Sequence, residues 1–414
     1  MLSDPTNPSL ANTAIPTTRE MDEFLMRTGE LLHKHGTPSH RLERVMTKVA
    51  RTLGVTCTFL YTPTSLIASI GDSPNERTYM RRVDSGSVDA DKLIRFDEIL
   101  EELEANRIGV SQARERLESA AISPAPFSSG LTAVVCGLAC AAIAIVFGGG
   151  VAEVLTAGVI GLAIAGLEVL QSKLGWEQGL LFPVAGFFAA ISSLMVAHWI
   201  VPIDDRMVTL ASLVILLPGL TLTVALTELA VGHLSAGVAR LAGACVTLLT
   251  LFIGVAIAWR VAPQWRTLPV EATPLHPLFY WLAIAASPAA FAVLFRVRRS
   301  RWWVVFAVSL SGFFTAKYFG EWYGTEVGSF LGALVVGAGS NLYARLRDRP
   351  AMVPLAPGII LLVPGSLGYR SLSALQDRQT VQGVDFAFGM LLVAMCLVGG
   401  LLASSAIVPP KRIL

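Results

Sequence analysis

Three features of this 414-residue chain predict a polytopic α-helical membrane protein with ten transmembrane helices in two inverted five-helix repeats, preceded by an N-terminal soluble α+β domain. Hydrophobic residues make up 53% of the chain and the mean hydropathy is +0.61, too apolar for an ordinary soluble enzyme. Charge is segregated: residues 1–125 carry 33 of the 62 Asp, Glu, Lys and Arg. Apolar runs of bilayer-spanning length then recur from residue 130 onward. A net charge of +2 gives no basic field for nucleic acid, so no such partner is expected.

The charged region reads as a tail over 1–18 and an α+β domain over 19–125. The tail is rich in Pro, Thr, Ser and Asn, a composition that favours disorder, and it lacks the pattern of a secretory leader. Met21, Phe24, Leu25, Leu31 and Leu32 fall on a broadly helical face, followed by Gly36 where a helix stop is wanted. Thr37 and Pro38 fit the N-cap and first position of a second helix, which carries Leu42, Val45, Met46, Val49 and Leu53. VTCTFLYT and SLIASIG read as a hairpin about Pro63-Thr64, with a further strand near 77–84 and two charged amphipathic helices before Pro124 and Pro126.

The stretch HKHGTPSH holds His33, His35 and His40, which invites a metal reading. The Gly-Thr-Pro break separates His40 from the other two, whereas a zinc site in one short run needs its histidines on one helical face or hairpin, with a further ligand elsewhere. A helix junction is the simpler reading, with ligand sensing open behind it; no metal or cofactor is expected. The five cysteines support no disulfide framework.

Spans are expected near 131–148, 153–170, 179–200, 207–226 and 235–259, forming one unit over 130–259. A second unit over 277–408 has spans near 278–295, 302–319, 325–344, 352–369 and 384–408. Sliding the chain by 146 residues places Pro218-Gly219 on Pro364-Gly365, Trp176 on Trp322, Gly186 on Gly332, Gly237 on Gly383, Gly243 on Gly389 and Gly254 on Gly400. Five spans is an odd number, so a second copy enters from the opposite face, the layout of secondary transporters.

Orientation follows from cations near span ends. With both termini cytoplasmic, the inner side holds Lys173, Arg296, Arg298, Arg299, Arg301, Arg345, Arg347, Arg349, Lys411 and Arg412. The outer side holds only Arg206, Arg260, Arg266, Lys317, Arg370 and Arg378. The expected location is a cell inner (plasma) membrane. GSFLG at 328–332 reads as helix packing within the bundle, with a homo-oligomer contact as the alternative.

The run LMRTGELLHKHGTPSHRLERVMTKVARTLGV, with the later YTPTSLIASIG, resembles the N-terminal domain of the threonine/serine exporter family. PGLTLTVALTEL, GVARLAGA and LLVPGSLGYRSLSAL resemble its two membrane units, so the likeness runs over roughly 20–408. It implies export of L-threonine and L-serine driven by the proton motive force. Val224 departs from the polar Asn expected there in the family, which puts the substrate in question.

Pro218-Gly219 and Pro364-Gly365 each lie about 16 Å into their spans, near the middle of a hydrocarbon core about 30 Å thick. A Pro-Gly step frees backbone groups that a membrane tolerates only beside protein or a wet cavity. The candidate substrate site is therefore Pro218, Gly219, Thr221, Thr223, Pro364, Gly365, Ser366 and Tyr369, with a substrate carboxylate at a resumed helix N-terminus. Ordinary proline kinks are the bland alternative. For gating or proton coupling the candidates are Glu168, Glu228, Arg240 and Asn341 towards the inner end, and Lys317 and Asp385 towards the outer end; snorkelling from span ends is the competing reading. Two rival functions stay open: export of a succinate-like dicarboxylate, and a membrane-anchored sensor or hydrolase acting through the N-terminal domain.

Overall fold

The computed structural model describes residues 18–84, 86–265 and 273–410, and divides after Pro124 into two compact units. The expected tail lies outside the described residues up to position 17, as do Arg266, Lys411 and Arg412 of the orientation argument.

The first unit opens with α1 (Thr18–Lys34) and α2 (Ser39–Thr52). The apolar face of α1 is buried through Phe24, Leu25, Leu31 and Leu32, and that of α2 through Leu42, Val45, Met46 and Val49. Gly36 between them has φ +91°, and a Cβ there would run into the Val88 backbone at 2.7 Å. Thr37 does not cap α2 as expected. The cap position is Pro38, whose carbonyl accepts from the Arg41 and Leu42 amides, so the helix starts one residue later. β1 (Cys57–Thr62), β2 (Ser65–Ile70) and β3 (Arg77–Arg82) form an antiparallel sheet in that order, with Tyr61 opposite Leu66. Phe59, Tyr61, Leu66, Ala68 and Ile70 alternate onto the buried side. α3 (Ala90–Glu104), capped by Asp89, and α4 (Val110–Ile122) complete the unit.

The histidines serve this junction. The His35 Nδ1–H donates to the Leu31 carbonyl at 2.7 Å, and His33 Nε2 lies 3.1 Å from the Pro63 carbonyl at the hairpin turn. Among the described residues, no three His, Cys, Asp or Glu side chains come together as a metal site.

The second unit is helical: α5 (Ser129–Val146), α6 (Val151–Leu174), α7 (Gln178–Trp199), α8 (Asp205–Leu213), α9 (Gly219–Ala230), α10 (Leu234–Val261), α11 (Pro277–Leu294), α12 (Trp302–Tyr323), α13 (Thr325–Arg347), α14 (Met352–Ile360), α15 (Gly365–Gln376) and α16 (Thr380–Ile407). Among the described residues, nine helical segments are long and apolar enough to cross a membrane, which makes this a multi-pass membrane protein. The expected span at 207–226 is not one of them. It is two short helices, α8 and α9, separated by residues 214–218. The segment Met352–Gln376 counts among the nine but is interrupted likewise, over 361–364, between α14 and α15.

The 146-residue offset reappears in the fold. The bounds of α9 and α15 differ by 146 at both ends, as do those of α10 and α16. A Cβ on Gly237 would press on Leu229, and one on Gly383 would press on Leu375. Gly254 lies against the Pro183 carbonyl of α7, and Gly400 against the Phe330 carbonyl of α13. Gly328 and Gly332 both face α12, at Ala316, Gly320 and Gly312, so the small-residue stripe packs helices inside this unit.

Candidate functional site

The two interruptions have one local cause and one geometry. Proline cannot donate a backbone hydrogen bond, and at these two Pro-Gly steps the helical run is interrupted. Pro218 (φ −78°, ψ 40°) and Pro364 (φ −83°, ψ 34°) hold the same non-helical conformation, and neither helix that resumes after them receives a side-chain cap. The N-termini of α9 and α15, 12 residues each, therefore present uncapped amides.

These two ends meet. A Cβ built on Gly219 would lie 3.6 Å from the Gly365 Cα, and one on Gly365 would lie 3.7 Å from the Gly219 Cα. At one end of this pair of broken helices, Arg206 in the first turn of α8 forms an ion pair with Asp377, the C-cap residue of α15. The start of the first segment thus meets the end of the second, and the middles meet at the glycines: the segments cross antiparallel. Two helix N-termini, each carrying roughly half a positive charge, confront each other at the crossing.

The expected substrate residues distribute around it unequally. Gly219 and Gly365 form the contact itself, flanked by Pro218 and Pro364. Thr223 is buried and its hydroxyl donates to the Gly219 carbonyl at 3.2 Å, so it is spent on its own helix. Thr221 is exposed and Ser366 half-buried. Tyr369, equivalent to Thr223 at the 146 offset, is 2% exposed, and its hydroxyl has no hydrogen-bond partner among the described residues. Its ring lies 5.9 Å from Phe252, which contacts Trp259 at 6.3 Å. A residue of the second half therefore fills the core of the first.

Of the gating candidates, the structure joins Glu228 and Arg240. Arg240 Nε donates to Glu228 Oε2 at 3.0 Å and Nη2 to Oε1 at 3.3 Å, across the turn from α9 to α10. Asn341 is buried and donates to the Val408 carbonyl at 2.9 Å, tying α13 to the end of α16. Lys317 pairs with Glu321 at 3.3 Å and lies over the rings of Tyr280 and Trp281. Glu168 and Asp385 are exposed on α6 and α16.

Sequence reasoning missed the Arg206–Asp377 pair and the Trp259 ring that Arg206 covers at 5.6 Å. A signal existed: at the 146 offset these charges fall on Met352 and Val231, so they break the internal symmetry.

The fold, with its paired broken helices, is that of a multi-pass helical membrane protein. A model of the threonine/serine exporter family matches residues 23–262, and a second, described as "Threonine/Serine exporter, ThrE", matches residues 280–407. The chain belongs to that family. It is similar to Uncharacterized protein C7D4.12c of Schizosaccharomyces pombe, 25% identical over 94% of this chain and 56% of the relative. It is also similar to Pheromone-regulated membrane protein 10 of Saccharomyces cerevisiae, 24% identical over 94% of this chain and 54% of the relative. The chain thus spans about half the length of these curated relatives. No solved structure matches it.

Proposed function

We propose that this chain is a secondary active exporter of small hydroxylated amino acids, L-threonine and L-serine, driven by the proton motive force. The reading places it in a cell inner (plasma) membrane with both termini cytoplasmic, as ten segments in two inverted five-helix repeats. The observation that carries it is the meeting of Gly219 with Gly365. Two uncapped helix N-termini brought together repel, and an anion between them offsets that repulsion. The carboxylate of an amino acid supplies it. The antiparallel crossing of the broken segments supports inverted repeats, since one resumed helix runs towards each face. Glu228 with Arg240 then forms the gate towards the cytoplasmic end and a route for the coupled proton. Asn341 braces that end. Lys317 stands towards the outer one, while Glu168 and Asp385 are the further proton carriers.

The test is counterflow of labelled threonine, serine and succinate in proteoliposomes holding the full chain. Threonine and serine should exchange and succinate should not, and an imposed pH gradient should drive net threonine movement. Succinate exchange without threonine exchange would replace the substrate with a dicarboxylate. If Pro218→Ala and Pro364→Ala both left transport and affinity unchanged, the broken-helix site would be dropped.

A further inference from the structure

One ion pair in the membrane unit has both charges of an amino acid zwitterion, set at one end of the antiparallel crossing. Arg206 opens α8, whose N-cap Asp204 is occupied in accepting the Arg206 and Met207 amides. Asp377 closes α15. The pair joins the two broken helices at one end only; the opposite end has Val231 and Met352 at the equivalent places. A contact serving only the packing of two repeated units would be expected at both ends. This one belongs to a single side. Arg206 also lies over the Trp259 ring, its guanidinium carbon 5.6 Å from the ring centre. Its side chain is 40% exposed. About 12 Å further along α15, at 1.5 Å per residue, is Tyr369, whose buried hydroxyl has no partner among the described residues.

We propose that Arg206 and Asp377, on the outer side in the orientation proposed above, form the exit subsite of the transporter, opened by the substrate's own zwitterion. The α-carboxylate displaces Asp377 from Arg206 while the α-ammonium takes Asp377. Every charge stays paired, and only the direct link between the broken helices is lost. A dicarboxylate leaves Asp377 facing a second anion, so the subsite selects amino acids over diacids. Tyr369 lies further inward along the same helix. The inference rests on the export of amino acids proposed above.

The test uses the wild-type chain in threonine-loaded proteoliposomes and two half-analogues: N-acetylthreonine, which keeps the carboxylate, and threoninol, which keeps the ammonium. Alone, each leaves one member of the pair unpaired and should inhibit labelled-threonine counterflow weakly. Together they should inhibit synergistically. In Asp377→Asn, N-acetylthreonine should gain about tenfold in potency, the scale of one charge-assisted hydrogen bond; in Arg206→Gln, threoninol should gain similarly. Strictly additive inhibition in the wild type, or unchanged potencies in both folded variants, would overturn the subsite while leaving amino acid export standing. Absence of threonine and serine counterflow in the wild type would overturn the export reading itself, and this inference with it.

Discussion

Gly219 and Gly365 touch where two interrupted helices cross, and the two positions tolerate a side chain unequally. A methyl group on Gly219 would overlap Val363 Cγ1, whereas one on Gly365 would find Leu217 Cβ at an ordinary 3.4 Å. Gly219→Ala should therefore lower threonine counterflow at least tenfold, and Gly365→Ala should change it less than threefold. The obstacle is a side chain rather than backbone, so Val363→Ala should rescue Gly219→Ala. Equal effects at the two glycines, or failure of that rescue in a folded double variant, would count against the crossing as drawn.

Glu228 is fully buried and held by two nitrogens of Arg240, which is itself 13% exposed. Removing one member of a buried pair leaves the other charge in a poor solvent, at a cost of about 3–5 kcal/mol. Arg240→Gln and Glu228→Gln should each lower the thermal midpoint of the detergent-solubilised protein. The double variant should be more stable than either, because no lone charge remains. Differential scanning fluorimetry of the four proteins closes the cycle; additive losses would mean the two residues act separately.

Much of this arrangement was legible in the sequence because it depends on local chemistry. Pro218-Gly219 and Pro364-Gly365 read as breaks, and breaks they are; proline alone does not impose one, since Pro183, Pro288 and Pro357 lie inside continuous helices. Gly36 read as a helix stop for a similarly local reason, its left-handed φ. Thr37 did not cap α2, because the choice between neighbouring cap positions turns on one carbonyl, here that of Pro38. Partners across the fold were illegible. Nothing in the separate sequences around 206 and 377 states that they meet, and Thr223 looked available until its hydroxyl proved bonded to Gly219. Glu168 and Asp385 drew notice as charges in apolar runs, yet both are exposed, a matter of helix rotation that composition does not set.

His35 makes the first unit sensitive to acid. Burial, countered in part by its bond to the Leu31 carbonyl, holds its imidazole below the ordinary histidine value of 6.5. An unfolded chain then binds a proton that the folded chain refuses. Stability from this group is full above pH of about 6.5 and falls as the pH drops below it. Hydrogen exchange of the α1–α2 junction in the full-length protein should accelerate between pH 7 and 5.5 after correction for intrinsic rates. His35→Gln should flatten that dependence; an unchanged pH profile in the variant would assign the sensitivity elsewhere.

Gly254 tests how closely α7 and α10 are packed. A Cβ there would strike the Pro183 carbonyl and come within 2.7 Å of the Phe187 amide nitrogen, both of them backbone, which cannot swing aside. Gly243 lies on the same helix with nothing within 4 Å of its would-be Cβ. Overpacking a close helix contact costs about 1–3 kcal/mol, whereas Gly to Ala at an open helical site gains a few tenths up to about 1 kcal/mol. Gly254→Ala should therefore lower the thermal midpoint and Gly243→Ala should leave it level or raise it. Gly400 occupies the corresponding place against the Phe330 carbonyl of α13, so Gly400→Ala should behave like Gly254→Ala. A neutral Gly400→Ala beside a damaging Gly254→Ala would show that the two halves do not share this packing, and would weaken the case for a duplicated unit.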